Sequence, residues 1–206
     1  MDKLKFDRQT STKRRKGGRI RKSDFGYLAS SHMSKVRAPS LNMHAISSQS
    51  GRSDSKMSRA VIIYDTKFGN TEKVARALAE GMKKHGVNVD CSKIDEVDIS
   101  KLGDYELLAI GGPTHALGLS KPMKEFLQKL ENVNISGKRA FAFDTKLKFR
   151  LAGSAGKRIE KKLKKLGMSI VKSHVSAIVK GGEGPLEDGA EETFKQIGAD
   201  IAKSLQ

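Results

Sequence analysis

Four consecutive apolar positions, Val61-Ile62-Ile63-Tyr64, give way to nine residues that are polar or small except for Phe68, after which apolar side chains return at Val74, Ala75, Leu78 and Met82. The first run is too short for a helix and β-branched, whereas the second has helical spacing. They predict a strand over 60–64 and a helix over 71–85, closed by Gly86. Further along, Val87, Val89 and Cys91 alternate with polar neighbours, which predicts a strand over 87–92, and a short turn or helix follows around 98–102. A third strand is expected over 105–110, a run apolar enough for a sheet covered on both faces. A helix starts near Lys121-Pro122, with proline at an early position, and runs to 130. The remaining elements are a strand over 139–143, a helix over 155–166 stopped by Gly167, a strand over 169–179 and a helix over 187–205. Five strands alternating with helices predict an α/β fold with a doubly wound, five-stranded parallel sheet. Right-handed crossovers and the strand order 2-1-3-4-5 place a crevice at the carboxyl ends of strands one and three.

Charge divides the chain unevenly. Residues 1–57 hold 14 Lys or Arg against 4 Asp or Glu, a net of +10 out of the total of +17. They include the run from Lys13 to Lys22 and a Ser-rich stretch, with few apolar residues and no sustained period. Such a segment buries too little to offset its ordering entropy, so it is expected to be a disordered basic tail, a leader or a non-native extension. Nucleic acid is the partner such a block can recruit by neutralising phosphates, and an anionic membrane face is an alternative. The domain is expected over 58–206. A lone cysteine, Cys91, cannot form an internal disulfide and is expected to be a buried thiol. No apolar run has the roughly 18 residues of a membrane span, and the setting expected is cytoplasmic and reducing.

The loop Thr66-Lys67-Phe68-Gly69-Asn70-Thr71 supplies hydroxyls, an amide and a glycine at the start of a helix, where free N–H groups and the helix dipole favour a phosphate. Neither the Walker spacing nor the dinucleotide Gly-x-Gly-x-x-Gly occurs. The loops after strands three and four converge on the same edge. One is Gly111-Gly112-Pro113-Thr114-His115-Ala116-Leu117-Gly118; the other, from Asp144 to Ser154, is too long for a plain βα turn, and long loops at such an edge carry function. Asp65, Asp95 and Asp144 raise the possibility of a phosphoacceptor receiver domain, but strand three ends in Gly-Gly-Pro where a receiver carries aspartate. Among Cys and His, no cluster has metal-ligand spacing, and no metal is expected.

The spacing Tyr-x-Thr-x-x-Gly-x-Thr-x-x-x-Ala-x-x-Leu, from Tyr64 to Leu78, resembles the flavodoxin family, and the resemblance covers about residues 58–206. It implies a flavodoxin-like fold that holds flavin mononucleotide (FMN) noncovalently, with the phosphate on Thr66, Lys67, Phe68, Gly69, Asn70 and Thr71. Pro113-Thr114-His115-Ala116-Leu117-Gly118 looks like the family's Pro-Thr-aromatic-x-x-Gly loop. It implies that His115 stacks on the isoalloxazine and that the Ala116–Leu117 peptide carbonyl accepts from flavin N5–H. Asp144, Thr145, Lys146 and Phe149 are the corresponding candidates after strand four, where the family's Gly-Asp pair and stacked Tyr are absent. Phe68 stands where simple flavodoxins carry a hydroxyl residue, a feature shared with flavodoxin domains attached to di-iron oxygen and nitric oxide reductases.

The resemblance implies an FMN-binding electron carrier with no catalytic residue of its own. Its basic domain points to acidic redox partner proteins. An FMN-dependent NAD(P)H or quinone oxidoreductase would use the same loops, and a flavin-free interaction module with a basic tail is the third alternative.

Overall fold

The computed structural model describes residues 57–115, 118–148 and 153–206. In chain order the elements are β1 (Arg59–Tyr64), α1 (Asn70–Lys83), β2 (Asn88–Lys93), a 3-10 helix (Ile99–Asp104), β3 (Leu107–His115), β4 (Gly118–Leu119), α2 (Lys121–Lys129) with a 3-10 turn (Leu130–Asn132), β5 (Arg139–Leu147), α3 (Ala155–Lys165), β6 (Ser169–Val179) and α4 (Ala190–Leu205). Residues 1–56 of the expected basic tail lie outside the described residues.

The five long strands are parallel in the order β2-β1-β3-β5-β6, and two-residue β4 folds back antiparallel on β3. With that short strand set aside, the order is the predicted one. Each face of the sheet carries a pair of helices because the strands are apolar on both sides. Ile62, Leu107, Phe141 and Phe143 pack with Val74, Leu78 and Met82 of α1 and Phe194 and Ile201 of α4. On the opposite face Val61, Ile63, Leu108 and Ile110 pack with Met123, Phe126 and Leu127 of α2 and Ile159 and Leu163 of α3.

Helices α1 and α4 approach through facing glycines. A Cβ on Gly81 would lie 1.9 Å from the Lys195 carbonyl oxygen, and one on Gly198 would lie 2.2 Å from that of Leu78. Only hydrogens fit there.

Two strands outrun their predicted ends, and the reason is pairing rather than composition. β3 continues through Gly111, Gly112 and Pro113 to His115 because these residues pair with Phe143, Asp144 and Thr145. Pro113 is tolerated because β1 stops at Tyr64, opposite Gly111, so beyond that point the β1 side of β3 needs no N–H for the ladder. β5 likewise continues from Phe143 to Leu147 because β6 pairs with it as far as Val179. At the front of α1 the helix begins at Asn70, one residue earlier than predicted. α4 begins at Ala190 rather than 187. Cys91 is half-buried, not buried, and desolvation pushes its thiol up to about 11.

An acid-labile tie joins α3 to the outer strand. Glu160 accepts hydrogen bonds from the Lys164 ammonium, at 2.6 Å, and from the backbone N–H of His174, and its carboxylate also contacts the His174 ring. These donors, Lys164 foremost, hold its carboxyl at about 2, below its usual 4.5. A depressed carboxyl stabilises the fold above its unfolded value, and that contribution is lost as pH falls from about 4.5 through 2. Glu160→Gln is therefore expected to be less stable than the parent in denaturant titrations at pH 6, with the gap narrowing at pH 3. A gap that stays constant between those pH values would contradict the assignment.

Candidate functional site

The ends of β1, β3 and β5 open onto a cleft of about 250 Å³. It is lined by Thr66, Lys67, Phe68, Asn70 and Thr71 from the β1–α1 loop, Pro113, Thr114 and His115 from β3, Thr145, Lys146 and Leu147 from β5, and Val179 and Gly182 from β6 and beyond. The crevice expected from strand order is thus present, and the first and third loops meet in it.

The β1–α1 loop is built around unused donors. Gly69 takes φ +79, which an L side chain resists, and caps α1 with backbone alone. Among the described residues, the backbone N–H groups from Thr66 through Glu72 find no acceptor, while Asp65 N–H before them and Lys73 N–H after them are both bonded. The Thr66 hydroxyl is buried and has no partner. A buried hydroxyl without a partner and a row of backbone N–H groups without an acceptor, at the positive end of a 14-residue helix, favour an anion. This donor set fits a phosphate.

Its walls are held by side-chain ties. Thr71 Oγ1 and Thr145 Oγ1 are 2.9 Å apart, both residues buried, so α1 is fastened to β5. Only one proton lies between the two oxygens, which leaves the second hydroxyl a proton to donate. Asn70 Nδ2 donates to the Glu183 carbonyl at 2.8 Å and draws in the segment after β6. On the β3 side, Thr114 Oγ1 donates to Asp144 Oδ2 at 2.8 Å and accepts from the Ala155 N–H at 2.9 Å, joining β3, β5 and the start of α3.

Of the expected contact residues, Asp144 stands behind the wall and not on it. It is fully buried, its Oδ1 has no partner, and its place is to hold Thr114. Gly118 lines a neighbouring groove with Lys67 and His115. Ala116, Leu117 and Phe149 lie outside the described residues. His115 is exposed and lies on the lining of both cavities.

Leu147, Val179 and Gly182 were not signalled as site residues by any motif. A clue is available for one: a Gly-Gly-Glu-Gly stretch following a β-branched strand suggests close backbone approach to something. Phe68 and Leu147, 44% and 45% exposed, are two of the three large exposed apolar side chains among the described residues, and both stand at this cleft.

Known proteins share both sequence and shape. The family described as Flavodoxin matches residues 62–197. A flavodoxin of Clostridium saccharobutylicum is 35% identical over 85 residues, 41% of this chain and 53% of the relative. A flavo-diiron protein of Clostridium acetobutylicum is 28% identical over 150 residues, 70% of this chain and 36% of the relative. Against four of the curated relatives the match spans 29% to 56% of the relative's length. The solved structure of a flavodoxin from the domain Archaea has TM-score 0.64 at 26% identity, covering 71% of this chain and 98% of its own. The chain belongs to the flavodoxin family, whose members bind FMN noncovalently.

Proposed function

We propose that the protein is an electron carrier that holds FMN in the cleft at the ends of β1, β3 and β5, with flavin binding assigned to residues 58–206 and a cytoplasmic setting. The observation that carries this reading is the buried, unpartnered Thr66 hydroxyl beside a loop of free backbone donors. Thr66, the N–H groups through Thr71 and the Thr71–Thr145 hydroxyl pair would hold the phosphate. Pro113, Thr114 and His115 on one side and Lys146 and Leu147 on the other would flank the ring. Bound there, FMN supplies reversible one-electron chemistry.

The chain's own contribution is placement. The Thr114–Asp144–Ala155 tie fixes the β3 loop against α3, so the ring wall is stiff before the ligand arrives, and a preformed wall costs less ordering entropy on binding. Phe68 and Leu147 add apolar surface to the cleft lining. No general acid or nucleophile is needed for outer-sphere electron transfer, and no such role is assigned.

The full chain reconstituted with FMN is expected to show one flavin per chain by visible absorbance and to give no steady-state NAD(P)H oxidation when a quinone is supplied. Failure to retain FMN overturns the reading and leaves the interaction module. Rapid NAD(P)H turnover replaces the carrier with the oxidoreductase.

A further inference from the structure

We propose that the groove between α2 and α3 is the docking surface for an acidic redox protein, an inference that rests on the carrier reading above. Two cavities run end to end from the FMN cleft along this face. The first, about 590 Å³, shares Thr66, Lys67 and His115 with the cleft and adds Lys121, Lys124 and Arg158. The second, about 470 Å³, shares Leu119, Lys124 and Arg158 with the first and adds Lys161, Lys162 and Lys165. Asp65 is the one carboxylate on either lining, and it is tied down by the Ser120 hydroxyl.

The positive charge here is unspent. Lys162 pairs with Glu131, and Lys121 approaches Glu125 at 3.9 Å. Among the described residues, Lys124, Arg158, Lys161 and Lys165 have no carboxylate within salt-bridge distance. All four are exposed. The cations flank a floor that includes Leu119 and Leu127, and an apolar strip between unpaired charges is how transient protein interfaces are built.

The surroundings select the occupant. A single-stranded nucleic acid would want exposed aromatic rings for its bases, and the large exposed apolar side chains among the described residues are Met57, Phe68 and Leu147, none of them on this face. A small phosphorylated ligand would want a buried, uncommitted donor. The buried hydroxyl there, Ser120, is committed to Asp65 and to the Met123 N–H. What remains is an open, charged surface that touches the redox cleft at His115 and Lys67. A carboxylate-rich partner docked on it is steered by long-range attraction and seated beside the flavin.

A small acidic [2Fe–2S] ferredoxin serves as the probe, with the FMN-reconstituted full chain and its Lys124→Glu, Lys161→Glu, Lys165→Glu triple variant. These positions are exposed and outside the cofactor cleft, so FMN affinity and melting temperature are expected to stay unchanged. The second-order rate of electron exchange is expected to fall at least tenfold at low salt, and the difference to shrink as salt rises. Carbodiimide coupling of the parent chain to the ferredoxin, read by peptide mass spectrometry, is expected to join its carboxylates to Lys124, Lys161 or Lys165. An unchanged rate in the triple variant, cross-links on another face, or loss of oligonucleotide binding without loss of ferredoxin binding would each overturn the docking surface. A chain that takes up no FMN yet cross-links at these lysines would instead sink the carrier reading and leave the surface standing.

Discussion

Thr66→Val is expected to weaken FMN binding by about 2 kcal/mol, roughly 30-fold in Kd, with little change in the stability of the flavin-free protein. Its hydroxyl is buried and unpartnered, so the folded chain alone gains nothing from it, whereas a phosphate oxygen would receive its proton. Thr66→Ser, which keeps the hydroxyl, is expected to bind within a few-fold of the parent. Thr71→Val would weaken binding too, but it is a less selective probe because it also breaks the 2.9 Å contact with Thr145 that fastens α1 to β5. Equal FMN affinity in Thr66→Val and the parent, measured by quenching of flavin fluorescence, would remove Thr66 from the phosphate site.

Gly198→Ala is expected to lower stability by about 3 kcal/mol and the melting temperature by roughly 6–12 °C. The added carbon would lie 2.2 Å from the Leu78 carbonyl oxygen and 3.0 Å from the Met82 nitrogen, both backbone atoms of α1 that no rotamer change can move. The α1 and α4 axes would have to separate, loosening the shared layer of Leu78, Met82 and Ile201. Gly103→Ala is the control, since its new carbon meets nothing nearer than the Asn134 carbonyl at 3.8 Å. Thermal melts in which the two variants are equally stable would contradict the packing described.

Most of the fold was legible because its strands are apolar on both faces and its helices are strongly amphipathic. Periodicity therefore located all five long strands, and the turn glycines Gly86 and Gly167, both with positive φ, marked where the first and third helices stop. What composition could not show was how far strands run once they are paired. Gly112-Pro113 and Asp144-Thr145 read locally as loops, yet Gly112 pairs with Asp144 and Pro113 with Thr145 in the ladder.

The site was legible to a similar depth. Residue types in the β1–α1 loop pointed to an anion, but which hydroxyls are free depends on tertiary contacts: Thr71 and Thr145 face each other, while Thr66 faces no acceptor. Asp144 reads in sequence as a loop carboxylate near the ring. The burial of β5 turns it inward to Thr114 instead. Segments contributed from far along the chain left the weakest signal. Gly182 lines the cleft, and the neighbouring Glu183 carbonyl accepts from Asn70 Nδ2, a pairing 113 residues apart.

The most direct test of the central claim compares FMN with riboflavin on the full-length, flavin-free chain by fluorescence titration. The two share the ring and the ribityl chain and differ in the phosphate. Free backbone donors and the Thr66 hydroxyl gathered at the start of α1 predict that FMN binds at least a hundredfold more tightly, on the order of 3 kcal/mol from charge-assisted hydrogen bonds lost without the phosphate. Equal affinity for the two would contradict the assignment of the β1–α1 loop as a phosphate site.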